Sequence, residues 1–138
     1  MGNTRGPEVK ELAWQEHEER NLRCVLELRQ RLCQRDLSAL EGHRGYQELR
    51  RVFPVLLSAF PDLQGTIEQQ LADGEWVATR TRFEGTHSGE FCGVAPTGRH
   101  VTFHNISIER VVNGEVVQYA GAMGLLSVLI ELGLVRVP

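Results

Sequence analysis

The sequence offers no even set of cysteines to pair, no large excess of charge of either sign, and no apolar run long enough to cross a membrane. Three cysteines, Cys24, Cys33 and Cys92, cannot close a disulfide framework and show no CxxC spacing; they read as reduced thiols of a cytoplasmic protein. A formal charge of -3 and a pI near 6.0 provide no basic surface, so nucleic acid is not an expected partner. The longest apolar stretch, around residues 125–130, falls far below the roughly 20 residues a membrane span needs. Residues 1–10 are polar and lack the apolar centre of a secretion signal. Also missing are internal repeats, a Walker loop, a glycine-rich turn opening a helix after a strand, and a Ser–His–Asp order. His100 and His104 stand four apart with no third ligand nearby, which supports neither a metal nor another cofactor.

What remains is an ordinary globular balance, 41% apolar and 24% charged over 138 residues, the size of one domain spanning 1–138. Pro7 and Glu8 suit the first turn of a helix. Leu22, Val25, Leu26, Arg29 and Cys33 recur at helical spacing and carry that helix to about Arg35, its charged first turns (Glu16, Glu18, Glu19, Arg20) lying free of the core. A second stripe, Tyr46, Leu49, Phe53, Leu56, Leu57 and Phe60, is wide enough to cover a sheet. Pro54 inside it predicts a kink or a restart. Beyond Pro61 the period drops to two. Strands are expected over 66–72, 75–83, 101–112 and 115–123, with Asp73-Gly74 and Asn113-Gly114 as hairpin turns. Residues 84–99 form a glycine-rich loop, and 125–132 a short helix stopped by Gly133. Helices followed by a strand meander define an α+β fold, a curved antiparallel sheet wrapped over helices.

Chemistry concentrates on the third strand. Its even positions, His104, Ile106, Ile108, Arg110 and Val112, share one face, where an imidazole and a guanidinium sit among apolar neighbours. The odd positions, Asn105, Ser107 and Glu109, suit solvent or a polar contact. A charge on an otherwise buried face needs a partner or a cavity. The even face therefore reads as the lining of a pocket, or else as a packed histidine and an arginine reaching water. A tight Asn113-Gly114 hairpin sets Tyr119 and Met123 on the same side as His104; a bulge moves Tyr119 to the other. His87, among the loop glycines, reads as a turn and hydrogen-bonding residue.

Several segments resemble a known family. Phe60-Pro61-Asp62-Leu63, Trp76-Val77-Ala78-Thr79-Arg80, Gly85-Thr86-His87-Ser88-Gly89-Glu90-Phe91, Gly93, Pro96-Thr97-Gly98-Arg99, Asn113-Gly114-Glu115-Val116-Val117 and the closing Leu129-Ile130-Glu131-Leu132-Gly133 stand in the order seen in SnoaL-like polyketide cyclases. The resemblance is strongest over 60–134. It implies a cone-shaped, nuclear transport factor 2-like fold, often dimeric, with a pocket between curved sheet and helices. It also implies proton-transfer chemistry on small hydrophobic molecules without metal or organic cofactor. Two departures stand out. Gly124 occupies the position of the family's acidic catalytic residue, and 36–44 is much shorter than the corresponding segment, with His43 as a remnant of a pocket histidine.

The reading that follows is a cofactor-independent cyclase, isomerase, lyase, hydrolase or hydratase in the cytoplasm, homodimeric, acting on a polyketide-like or terpenoid-like substrate. His104 would serve as acid/base, Tyr119 as donor to an oxyanion, and Arg110, Ile106, Ile108 and Met123 as substrate contacts. The alternative is a binding or assembly module that kept the fold and lost the acid.

Overall fold

A computed structural model describes residues 9–138, with side chains from Gln15 onward; the expected helix start at Pro7 and Glu8 lies outside the described residues. Helix α1 runs Val9–Cys33 and ends where Arg35 turns left-handed (φ 65°). Two 3-10 turns follow, Leu37–Leu40 and Arg44–Tyr46, leading into α2, Gln47–Ala59. Strands β1 (Gln64–Asp73), β2 (Trp76–Thr86), β3 (His100–Val112) and β4 (Glu115–Met123) form one antiparallel meander in the order β1-β2-β3-β4, and α3 spans Leu125–Glu131. The curved sheet closes over the helices, as expected of this α+β class.

Local chemistry explains most boundaries. Asn113 and Gly114 both take positive φ (51° and 76°) and Val112 faces Glu115, a two-residue hairpin of the mirror-turn kind. In the first hairpin Asp73 faces Trp76, so the loop is Gly74-Glu75, one residue later than expected, with Gly74 at φ 61°. The first turns of α1 are not free. Glu18 accepts a hydrogen bond from the Gly74 N–H at 3.0 Å, and Asn21 donates to the Gly74 carbonyl at 3.4 Å. No restart occurs at Pro54: α2 is continuous through it, with Pro54 and Arg50 both on the exposed side, where water can serve the carbonyl that lacks its donor. Gly133 (φ 76°) closes α3 with the Leu134 N–H on the Leu129 carbonyl at 2.9 Å.

The core lies between the concave face of the sheet and the helices. Val25, Leu28 and Leu32 of α1 and Leu49, Phe53 and Leu56 of α2 pack on Val77, Phe83, Val101, Phe103, Val111 and Val116. The loop after β2 folds back on α2. The Ser88 and Gly89 N–H groups both donate to the Ala59 carbonyl, serving an end of α2 that would otherwise lack donors. His87 is fully buried there. Its Nδ1 accepts from the Thr97 N–H at 3.2 Å and its backbone pairs with Gly98 and Arg99, a loop-locking role that agrees with the sequence reading.

Candidate active site

Strand alternation separates the residues that sequence reasoning grouped. The β2–β3 ladder is unbroken, and its outer face carries His104, Ile106, Ile108 and Arg110. His104 is half exposed with Nε2 3.1 Å from Glu68 Oε1, and Arg110 Nε lies 3.2 Å from Glu75 Oε2. Ile106 is 56% exposed and Ile108 45%. These four do not line a cavity inside the cone, contrary to the expectation. The apolar pair that suggested burial points away from the helices, and the charges beside it find surface partners.

Tyr119 and Met123 lie on the opposite, concave face. Between Arg110 and Val111 the β3–β4 register slips by one, pairing Val111 with Val116 but Arg110 with Gln118. Val117 is therefore the extra residue of a bulge, which reverses the facing of every later residue of β4. Tyr119 then pairs with Glu109, and Met123 with Asn105. The expected single pocket of His104, Arg110 and Tyr119 is thus split by the thickness of the sheet.

The concave face holds a group of polar side chains that the sequence reading had assigned to solvent or to the core. Glu109 is 0% exposed, Arg29 2% and Tyr46 0%. Arg29 Nε and Nη2 both donate to Glu109 Oε1, at 2.9 and 2.6 Å, and Ser107 Oγ donates to the same oxygen at 3.0 Å. The Tyr46 hydroxyl donates to Oε2. The Tyr119 ring packs edge-on to Tyr46, centroids 5.6 Å apart, and lies 5.3 Å from the Arg29 guanidinium carbon, a cation–π contact. Burial opposes the Arg29 charge, but Glu109, the two phenols and the hydrogen bond outweigh it and hold the guanidinium above its ordinary value. Burial first, and Glu109 second, push the Tyr46 phenol up, so it stays a donor.

Tyr46 is positioned by an unusually close approach. A Cβ at the preceding Gly45 would come within 2.7 Å of the Gln118 nitrogen, so only glycine lets this turn press against β4. His43 fastens the same turn: its Nδ1 accepts from the Val116 N–H at 2.9 Å, and burial lowers its pKa against the opposing pull of Glu115 and Glu109. Arg50 ties the segment to α2 through the carbonyls of Leu40 and His43. Of the described partners of the Arg29–Glu109 pair, Ser107 and Tyr46 are buried and Tyr119 is partly exposed. Beyond it on β3 and β4, Asn105 and Met123 are half-buried and Gly121 is exposed. A groove of about 710 Å³ runs elsewhere, between α1 and β1, lined by Gln30, Cys33, Arg35, Thr66 and Glu84 among others. Among the described residues no group of three or more His, Cys, Asp or Glu is placed to hold a metal, and no helix is long and apolar enough to cross a membrane.

One signal did point here. Arg29 interrupts the apolar stripe of α1, and a cation on a buried stripe requires a buried carboxylate. Glu109, on the supposed solvent face of β3, is that partner.

A curved antiparallel sheet closed by helices over a polar interior places the molecule in the nuclear transport factor 2-like class. A family model of SnoaL-like polyketide cyclases matches residues 12–132, and the chain belongs to that family. Among solved structures it is similar to AclR from Streptomyces galilaeus, a proposed hydroxylase, at 28% identity and a TM-score of 0.79 over 86% of this chain and 99% of that one. IdmH from Streptomyces antibioticus, a proposed polyketide cyclase, is 25% identical with a TM-score of 0.71, covering 82% and 98%. A SnoaL-like protein from Jannaschia sp. CCS1, at 20% identity and TM-score 0.73 over 98% and 100%, shares the fold. A comparison with curated proteins gives no match. Membership supports a polyketide cyclase-type role, with a small hydrophobic molecule as ligand.

Proposed function

We propose that the protein is a cofactor-independent enzyme that moves a proton on a hydrophobic, polyketide-like ketone held against the concave face, with Glu109 rather than His104 at the centre. The observation that carries this reading is the buried Arg29–Glu109–Tyr46 cluster. A buried ion pair contributes little to stability compared with apolar residues of the same volume, so a charged group at the heart of the cone calls for another reason. Both Arg29 bonds and the Ser107 bond fall on Oε1, whereas among the described residues Oε2 accepts only from Tyr46. One lone pair of Oε2 is left for an acidic C–H. As the ligand enters past Tyr119, the C–H bond breaks, the proton passes to Oε2, and the Tyr119 phenol donates to the enolate oxygen. The enolate carbon attacks a second carbonyl, and the resulting alkoxide takes the proton back from Glu109.

The second reading, a binding or assembly module without chemistry, draws on Gly124 at the family's acid position and on the closure of the cluster from solvent. Exchange of the α-protons of 2-tetralone in D₂O, followed by NMR, separates the two. The wild-type protein should accelerate exchange, His104→Gln should retain the acceleration, and a folded Glu109→Gln protein should lose it. Equal exchange in Glu109→Gln would remove the proposed base, and no acceleration by the wild type would favour the binding module.

The outer face supports a homodimer. Leu71, Trp76, Ile106 and Ile108 are 62, 40, 56 and 45% exposed, and they lie on adjoining strands with polar pairs, Glu68 with His104 and Glu75 with Arg110, at the margin. Apolar surface of that kind calls for a partner, and a second copy would cover it symmetrically. The three cysteines are unpaired, in keeping with a reducing compartment.

A further inference from the structure

The concave face contains a hydroxyl with nothing to bond. Thr81 of β2 is 1% exposed, and its Oγ1 is shut off from solvent with no hydrogen-bond partner among the described residues. Directly opposite on β3 is Asn105, half-exposed, whose carboxamide makes no hydrogen bond to a described residue. Met123 pairs with Asn105 on the other side, and Gly121, exposed and without a side chain, adjoins it on β4. A Cβ at Gly121 would run into the Tyr119 hydroxyl, so the phenol lies directly over this glycine. Valine has the shape of threonine and would fill the Thr81 site without leaving a buried hydroxyl unpaired, an arrangement that costs stability in the free protein.

We infer that Thr81 and Asn105 form a polar subsite that takes a hydroxyl or carbonyl oxygen of the ligand, at the end remote from the reacting carbon. This rests on the proposed function in assuming a hydrophobic ligand inside the cone. The threonine hydroxyl can donate or accept, and the carboxamide can do both at once, so the pair suits an oxygen in either role. Asn105 and Glu109 are four residues apart on one face of β3, about 13 Å along the strand. Part of that span is taken up by the two side chains and their contacts, so a ketone bearing an oxygen substituent at its far end is long enough to reach both.

The test compares 2-tetralone with 6-hydroxy-2-tetralone, which differ only in the remote hydroxyl, by calorimetric titration of the full chain. Wild-type protein should bind the hydroxylated ketone about tenfold more tightly, the size of one net hydrogen bond. Thr81→Val should abolish that preference while raising the ligand-free melting temperature by a few degrees, and Asn105→Leu should weaken the preference. An unchanged preference in Thr81→Val, or a melting temperature that falls, overturns the subsite. If the preference behaves as expected but 2-tetralone shows no α-exchange, the subsite stands and the proton-transfer reading fails. If neither ketone binds the wild type, both fall.

Discussion

Removing the Glu109 carboxylate alone should be among the most damaging single changes available to this protein. In Glu109→Leu, Arg29 keeps its charge in a site 2% exposed but loses both of its side-chain acceptor contacts. Breaking a buried pair from one side costs about 3–5 kcal/mol. The Tyr46 hydroxyl and Ser107 Oγ lose their acceptor too, and a buried donor left unpaired adds about 1–3 kcal/mol. Against a total stability of about 5–15 kcal/mol for a domain of ordinary size, that sum approaches complete unfolding. Removing the charge from both sides should behave differently. Arg29→Met with Glu109→Leu replaces the pair by apolar groups of similar volume and should recover most of the loss, with Tyr46→Phe and Ser107→Ala removing the two orphaned hydroxyls. Urea unfolding followed by circular dichroism at pH 7 gives the four corners of the cycle, provided the slope with denaturant stays constant. A coupling of several kcal/mol is expected. If the double variant is as unstable as the two single losses added together, Arg29 and Glu109 do not form the dependent pair described above.

The remaining expectations concern the fastening of the cone, the loop and the outer face. Burial holds the folded-state pKa of His43 below its ordinary value of 6.5, so its contribution to stability is complete above that pH. The contribution declines as pH falls below 6.5, because the unfolded chain takes up the proton first and protonation of Nδ1 removes the acceptor for the Val116 N–H. His43→Asn, a neutral acceptor of similar reach, should flatten thermal stability between pH 6.5 and 5; an unchanged slope would clear His43 of the effect. His87→Ala should lower the melting temperature and leave 2-tetralone affinity intact, and nitrogen NMR of the wild type should show His87 protonated at Nε2, since Nδ1 accepts from Thr97. Ile106→Glu places a charge in the middle of the exposed apolar face and should shift sedimentation from dimer to monomer without unfolding the chain; a wild type that sediments only as a monomer would dispose of the dimer.

The order of elements was readable because local rules act alone there: the 3.6-residue stripes of α1 and α2, the paired left-handed residues of Asn113-Gly114, and Gly133 after α3. The orientation of β3 was not. Its most apolar residues, Ile106 and Ile108, face outward, while Ser107 and Glu109 face the helices, so the usual link between hydrophobicity and burial is inverted over those four positions. The same inversion placed His104 and Arg110 in a pocket they do not line. Tyr119 changed sides through one extra residue, Val117, and nothing in Glu115-Val116-Val117-Gln118 marks a bulge; it coincides with a tertiary contact, the close approach of Gly45 to that strand. Glu109 was legible only indirectly, through the cation that Arg29 sets into an apolar stripe.

The cluster at the centre of the cone also fixes an order of events during synthesis. Arg29 and Glu109 are 80 residues apart in the chain, Tyr46 and Glu109 63, and His43 and Val116 73. At roughly 5–20 residues per second, the ribosome takes on the order of 4–16 s to deliver Glu109 after Arg29. Throughout that interval α1 and α2 can form by themselves, but the cation and the phenol they carry have no acceptor, and the apolar stripes beside them have no sheet to cover. The helical half is thus a waiting half, exposed to chaperones and to premature association. The arrival of β3 and β4 in a single hairpin joins charge neutralisation to closure of the core, and makes that hairpin the part on which solubility of the helices depends.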